Sequence, residues 1–119
     1  MRFFPVSYNS DFSRAYRRGK NIVHPQVVVY VNKNRVGHTR VGITASKKVG
    51  NAVARNRARR VLRHALAEVL SKNTGGVDII LVARGRTVHL KSWQLVKTLR
   101  QILPQAGVQV RPPHSGGAP

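Results

Sequence analysis

The sequence predicts a small mixed α/β domain, and three observations indicate it. Two segments, at about 52–71 and from a capping Ser92 to Pro104, have the apolar spacing of amphipathic helices. Short runs rich in β-branched residues alternate with them and favour strands. The chain has 119 residues, 41% of them hydrophobic, enough for one modest core. We expect a single domain over 1–104 and a disordered tail, rich in Gly and Pro, over 105–119.

A short helix is predicted near the N-terminus. Ser10 or Asp11 can cap its first turn, and the helix then runs to Arg18. Gly19 stands where helices often end in a left-handed residue. Because so short a helix is marginal in isolation, we expect it to dock on the rest of the domain.

Four extended segments are predicted along the chain. A brief one lies near 22–24, and the run at 27–31 is continuously apolar. Residues 40–45 alternate apolar and polar side chains, so we expect them to pair with 27–31 as an antiparallel neighbour with one solvent-facing side. The apolar run at 79–82 is typical of a strand buried on both faces.

The helix predicted at 52–71 has one apolar face and one basic face when its residues are placed at 100° intervals. A solvated face normally mixes signs, but here only Glu68, near the far end, could relieve the repulsion between like charges. A fold tolerates that repulsion when a bound polyanion removes it, and Arg suits phosphate because its planar fork donates two parallel hydrogen bonds. The basic face consists of Asn56, Arg57, Arg59, Arg60 and Arg63.

Charge is the strongest constraint on function. The chain carries 22 Lys and Arg against 3 acidic residues, for a formal net charge of +19. Ion pairs within the chain can neutralise little of this, so the compensating anions must come from a partner. Nucleic acid and an acidic membrane surface are candidates, but no apolar run approaches the ~20 residues of a membrane span and no signal-peptide layout is present. We therefore expect a soluble cytoplasmic protein that binds nucleic acid.

The small number of acidic residues and the absence of cysteine exclude several kinds of site. Asp11, Glu68 and Asp78 are dispersed, whereas a nuclease that holds its own Mg²⁺ needs clustered carboxylates. The histidines show no metal-ligand spacing, and cysteine is absent, which rules out disulfides and Cys-based zinc sites. We expect neither a catalytic residue nor a metal site in the protein itself.

Proteins that bind single-stranded nucleic acid usually combine basic residues with exposed aromatic rings, because the bases stack on the rings. The candidates are Phe12, Tyr16 and Tyr30. Phe12 and Tyr16 lie four residues apart on one helix face, so core packing is an equally reasonable interpretation for Phe12. Tyr30 carries a hydroxyl that needs a partner, which favours a half-exposed position. Trp93, and Phe3 or Phe4, are interpreted as packing residues.

The chain resembles the protein subunit of bacterial ribonuclease P in four segments, which stand in the family's order and at its separations. The most specific is SKKVGNAVARNRARR at 46–60, which contains the RNR motif of the family. The resemblance covers roughly 10–103 and implies a two-layer α/β sandwich of order αβββαβα. It also implies a left-handed crossover from the third strand through the long helix to the fourth, against the usual right-handed rule. The four segments are SDFSRAYRRGK, VVVYV, RVGITASKKVGNAVARNRARRVLRHAL and DIILVARG.

The resemblance also implies a function. In that family a partner RNA performs the cleavage, with Mg²⁺ held by the RNA and the substrate, and the protein helps to remove the 5′ leader of precursor tRNA. No protein oligomer is required. The positions that match the cleft for the single-stranded leader are Phe12, Tyr16, Tyr30, Thr44, Lys48, Arg55, Asn56 and Arg63. Those that match the surface for the catalytic RNA are Lys47, which could serve either partner, Arg57, Arg59 and Arg60.

Two other functions remain as alternatives. A structural RNA-binding protein of ribosomal type would have the same composition, and only the aromatic cleft and the 46–60 segment speak against it. An autonomous nuclease is disfavoured by the dispersed carboxylates. The first nine residues and the tail after Pro104 match no family motif.

Overall fold

A computed structural model describes residues 3–6, 9–71 and 75–112, and a five-stranded sheet forms its centre. The helices are α1 (Asn9–Arg18), α2 (Ala52–Val69) and α3 (Ser92–Ile102). The strands are β1 (Phe4–Pro5), β2 (Lys20–Val23), β3 (Val27–Lys33), β4 (Arg40–Thr44) and β5 (Val77–Ala83). Short 3₁₀ turns lie at Lys47–Val49, Thr87–His89 and Leu103–Ala106. Apart from the two-residue β1, this is the predicted order αβββαβα.

Strand β5 lies in the middle of the sheet, which makes the predicted pairing of β3 with β4 wrong. The spatial order is β1-β4-β5-β3-β2. β3 pairs antiparallel with β2 and β5, whereas β4 pairs parallel with β5. Parallel neighbours need a long crossover, here through α2, so the short segment between β3 and β4 could not reveal that β5 separates them. The left-handed sense of this crossover stays a prediction.

The core lies between one face of the sheet and the helices α2 and α3. Alternate residues of the central strands belong to it, among them Val29, Ile79 and Leu81, all fully buried. The apolar stripes predicted for both helices are confirmed, apart from Val61, which is half-buried. The buried residues of these stripes are Ala58, Leu62, Ala65, Leu66 and Val69 of α2, and Leu95, Val96, Leu99, Ile102 and Leu103 of α3 with its turn.

Helix α1 packs on the other face of the sheet, against β3 and β5. Its Ala15 is fully buried, as is Ile80 of β5, which alternates with the core residues Ile79 and Leu81. The predicted docking of α1 is therefore confirmed. No helix in the described ranges 3–6, 9–71 and 75–112 is long and apolar enough to cross a membrane.

Two predicted helix ends are wrong in detail. Gly19 does not take a left-handed conformation; it is needed for close packing, because a Cβ there would stand 2.6 Å from the carbonyl oxygen of Ala15. Ser92 is the first residue of α3 and not its cap. The side chain of Gln94 instead accepts a hydrogen bond from the backbone N–H of Lys91 at 2.9 Å, so this end is closed by a residue inside the first turn.

The segment 105–112 belongs to the folded part, which corrects the predicted start of the tail. Val108 is 2% exposed, and Val110 forms a β-bridge with Leu70 at the end of α2. Arg111 donates from Nε to the carbonyl oxygen of Leu70 at 3.0 Å. The averaged composition of the tail concealed two valines that cover the end of the core. The rest of the predicted tail lies outside the described residues.

One arginine joins β4, β5 and α1. Arg40 donates from Nε and Nη2 to the two carboxylate oxygens of Asp78, at 2.8 and 2.7 Å. Asn34 donates to the same carboxylate at 2.8 Å, and Asp11 of α1 lies 3.4 Å from Arg40. Asp78 is only 3% exposed, so its charge depends on these partners. Two of the three acidic residues of the chain are thus already paired with one Arg.

We expect Asp78→Asn to lower the free energy of unfolding by about 3 kcal/mol at pH 7, because Arg40 then loses its main partner while partly buried. Burial alone raises the pKa of Asp78, but the hydrogen bonds from Arg40 and Asn34 outweigh burial and hold the pKa below its ordinary value. The stabilisation is therefore complete above the unfolded-state pKa, about 4, and is lost as pH falls through the folded-state pKa. Urea denaturation across pH should show the two proteins converging only below about pH 4.

The matched control for this prediction is Asp11→Asn. Asp11 contacts Arg40 and Arg14 at the longer distances of 3.4 and 3.7 Å, so its loss should cost less stability. Equal stability of the Asp78→Asn variant and the parent at pH 7 would show that Arg40 does not depend on this carboxylate.

Candidate nucleic-acid interface

Three aromatic side chains come together on the α1 face of the sheet. The rings of Tyr16 and Tyr30 meet edge to face with centroids 4.7 Å apart, and those of Phe12 and Tyr16 are 6.4 Å apart. Tyr16 is 42% exposed, whereas Phe12 and Tyr30 are half-buried. The predicted half-exposure of Tyr30 is confirmed, and Phe12 lies outside the main core. The three rings form an open aromatic surface that a planar base can contact.

Close packing against a glycine positions Phe12 in this surface. A Cβ at Gly42 of β4 would stand 2.8 Å from the Phe12 ring, so only glycine lets the ring lie directly on the strand. Thr44, two residues further along the same strand face, hydrogen-bonds to Tyr16. Partial burial raises the pKa of Tyr16, and the hydrogen bond to Thr44 acts in the opposite direction. The hydroxyl therefore remains protonated near neutral pH.

A groove of about 500 Å³ opens beside these rings at the edge of β4. β1 pairs with β4 only at Arg40 and Val41, so on the side away from β5 the following residues of β4 have no neighbouring strand in the described part of the chain. The groove joins Phe12 of α1 to Arg63 of α2, two residues predicted for the same cleft. It is completed by residues of the N-terminal segment that the sequence analysis left unplaced: Phe3, Pro5 and Val6. The apolar run at 3–6, directly before a helix, was the available signal.

The turn that leads into α2 shows why Ser46, Gly50 and Asn51 stand where they do in the 46–60 segment. The Ser46 side chain accepts a hydrogen bond from the N–H of Lys48 and caps the 3₁₀ turn. Gly50 has φ of 145°, a conformation that L side chains rarely adopt. Asn51 then caps α2 by accepting from the N–H of Ala54 at 2.9 Å. Lys47 and Lys48 are both exposed on this turn, close in sequence to the end of β4.

The basic residues of α2 fall into two groups. Arg63 reaches the groove that holds Phe12, whereas Arg57, Arg60 and His64 line a second groove of about 580 Å³ that extends to Ser92 of α3. The side chain of Arg57 is held there, because its Nε donates to the carbonyl oxygen of Val88 at 3.1 Å. Arg55 is half-buried in the first turn of the helix. One helix thus presents cations to two separate grooves.

Asn56 lies in a different group from the one in which the resemblance placed it. It lines the second groove, together with Arg57 and Arg60, and its Oδ1 accepts a hydrogen bond from Nη2 of Arg59 at 2.5 Å. The first groove does not include it. Spacing on the helix could not have indicated this, because Asn56 lies on the same face as Arg60, four residues on, and as Arg63, seven residues on.

The interpretation of Trp93 as a packing residue is wrong. Its side chain is 64% exposed, since it points about 120° to 160° away from the buried Leu95 and Leu99 around the helix axis. Among the residues that the structure describes, no group of three or more His, Asp or Glu side chains could hold a metal ion.

The family model for ribonuclease P matches residues 4–107. This chain belongs to the ribonuclease P protein family. The ribonuclease P protein component of Staphylococcus epidermidis is 39% identical over 106 residues, which cover 88% of this chain and 91% of the relative. That of Listeria innocua is 33% identical over 113 residues, covering 94% of this chain and 95% of the relative. The solved RNase P protein of Staphylococcus aureus superposes with a TM-score of 0.73 at 33% identity, over 90% of this chain and 98% of that one.

Family membership confirms the resemblance and the mixed α/β fold. The chain is a protein component of ribonuclease P, and so a subunit of a ribonuclease. The assignment of individual residues to the leader or to the catalytic RNA stays a prediction, for which the two grooves supply the geometry.

Proposed function

We propose that this protein binds the catalytic RNA of ribonuclease P and the single-stranded 5′ leader of precursor tRNA, and so assists removal of the leader in tRNA maturation. The observation that carries the proposal is the open aromatic surface of Phe12, Tyr16 and Tyr30 beside a groove that ends at Arg63. The cytoplasm is the expected location.

The first groove suits a single strand for two reasons. The aromatic surface that adjoins it at Phe12 offers ring faces on which unpaired bases of any sequence can stack, at ~1 to 3 kcal/mol per base. Arg63 at its wall, and Lys48 on the exposed turn after β4, supply positive charge for the backbone phosphates. Thr44 beside Tyr16 adds a hydroxyl that can donate to or accept from a base edge. A duplex offers no free base faces, so this surface favours the unpaired leader.

The second groove is assigned to the catalytic RNA. Arg57 and Arg60 are exposed there, and Arg57 is positioned by its hydrogen bond to Val88. An Arg held in one rotamer loses less side-chain entropy when it binds a phosphate. Lys47 and Arg59 extend the same basic face of the turn and α2. The two RNA partners would then occupy two separate grooves along one helix.

We assign the Mg²⁺ required for cleavage to the RNA and the substrate. Asp11 and Asp78 are engaged by Arg40, and Glu68 is exposed on α2, so the carboxylates of this chain do not form a set that fits the ion. No step of the cleavage is assigned to a protein side chain. A structural RNA-binding role of ribosomal type is the competing proposal, and it would not require an open aromatic groove.

The proposed function predicts that the protein stimulates cleavage of precursor tRNA by its cognate RNA at low Mg²⁺, because its cations replace part of the charge screening that Mg²⁺ provides. Cleavage of 5′-labelled precursor should be followed with RNA alone, with protein alone and with both. Protein alone should be inactive. Cleavage activity that copurifies with the protein without RNA would contradict the proposal that the RNA performs the cleavage. Absence of stimulation would contradict the proposal that the protein assists it.

Leader binding can be separated from all other contacts by the double substitution Phe12→Ala, Tyr16→Ala. The holoenzyme should bind precursor tRNA with a leader of several nucleotides more weakly, by about 1 to 3 kcal/mol per lost stack, while its affinity for mature tRNA stays the same. Tyr16→Phe keeps a ring and serves as the matched control. Circular dichroism checks the fold. An equal loss for both tRNAs would favour the ribosomal-type alternative, and unfolding would mean that these rings are core residues.

The double substitution Arg57→Ala, Arg60→Ala should weaken association with the catalytic RNA equally for every substrate. The slope of log K against log salt should also become less steep by about 1.4 to 1.8, the value for two lost phosphate contacts. Arg17→Ala with Lys20→Ala removes the same charge from exposed positions outside α2 and is the matched control. Identical salt slopes for the two double variants would show that only total charge matters.

A further inference from the structure

A surface on α3 is used by neither proposed groove. Trp93 is 64% exposed, and Lys97, one turn later on the same face, is exposed as well. Together with Val96, Arg100 and Gln101 they line a groove of about 350 Å³. We call this the Trp93 patch. A tryptophan so exposed leaves a large apolar ring in water, and Trp is a residue type enriched at interfaces and binding hot spots.

Arg100 in this patch has a hydrogen-bond donor that is not satisfied in the described part of the chain. Its Nε is buried and has no hydrogen-bond partner within the described part of the chain. A buried donor without a partner is unfavourable. The guanidinium is therefore short of one acceptor in the isolated protein, and a bound ligand that rearranges the side chain could provide it.

The charge of the patch restricts its occupant. Along Ser92–Ile102 the sequence contains Lys97 and Arg100 and no acidic residue. A second copy of the chain would bring another net charge of +19 against these cations. A neutral apolar partner would cover the ring but leave both cations without counterions. An unpaired nucleotide supplies a base for the ring and a phosphate for the cations.

The patch also begins one residue after the groove assigned to the catalytic RNA. Ser92, directly before Trp93 in α3, lines that groove together with Arg57 and Arg60. An RNA that follows the basic face of α2 therefore reaches the start of α3. We propose that Trp93 stacks on an unpaired base of the catalytic RNA, while Lys97 and Arg100 contact its phosphates. This inference rests on the proposed function, because it takes the same RNA as the occupant.

Trp93 is the only tryptophan of the chain, so its fluorescence reports on this patch alone. The full-length protein should be titrated with cognate catalytic RNA, and binding should be measured in parallel by filter retention. Stacking should quench Trp93 in step with binding and protect it from acrylamide. The leader-cleft variant Phe12→Ala, Tyr16→Ala should show the same quenching, since it leaves α3 unchanged.

Substitutions test the energetic contribution of the patch. Trp93→Ala should weaken binding of the catalytic RNA about tenfold, which corresponds to ~1.4 kcal/mol, and Trp93→Phe should recover part of the loss. Lys97→Ala should weaken binding and move the quenching to higher RNA concentration. Phe4→Ala removes another exposed aromatic ring, 60% exposed on β1, and should leave RNA binding unchanged. The preference for precursor over mature tRNA should persist in all of these variants.

Three results would overturn the inference. Filter-detected binding without any change in Trp93 fluorescence would show that the RNA does not reach the patch, while the proposed function would stand. A concentration-dependent dimer in sedimentation that Trp93→Ala abolishes would make the patch a protein interface. Failure of the parent protein to bind the RNA at all would overturn the proposed function together with this inference.

Discussion

The interaction between Arg40 and Asp78 holds together the elements on which the candidate leader site is built. It joins β4 to the central strand β5, and through Asp11 it also reaches α1. The aromatic surface consists of rings from α1 and β3, with β4 as its floor. A shift of α1 relative to β4 would separate Phe12 from Gly42. Because both residues line the groove, the groove would then lose its shape. Buried ion pairs give geometry more reliably than net stability, and geometry is the requirement here.

This pairing also explains how the remaining charge is distributed. Because two of the three acids are engaged by Arg40, the other cations have almost no carboxylates to neutralise them. Repulsion keeps such cations on the surface, and the apolar stripe of α2 determines on which side of the helix each one emerges. Arg63 emerges at one groove and Arg57 at another. The proposed division of RNA contacts rests on this separation of the cations between two grooves.

Local rules predicted much of the fold and part of the candidate site. The stripes of α2 and α3 followed from the helical period, and the burial of β5 from its continuous apolar run. Half-exposure of Tyr30 followed from its hydroxyl. Two expectations were wrong for one shared reason: the pairing of β3 with β4 and the tail from residue 105. Each depended on which distant element lies alongside, and neither composition nor period carries that information. The expected packing of Trp93 was wrong although the helical period already separates this residue from the buried stripe.

The sequence by itself determined that this protein needs a polyanionic partner, which residues form the basic face of α2, and to which family the chain belongs. A charge of +19 and a spacing of 3.6 residues per turn are properties of the chain, whatever its tertiary arrangement. Only the tertiary structure decided that Phe3, Pro5 and Val6 form a wall of the groove proposed for the leader, and that Asn56 lines the second groove together with Arg57. These features arise where β1 meets β4 and where α3 meets α2. Contacts between distant segments depend on how the whole core packs, and no local pattern encodes that packing.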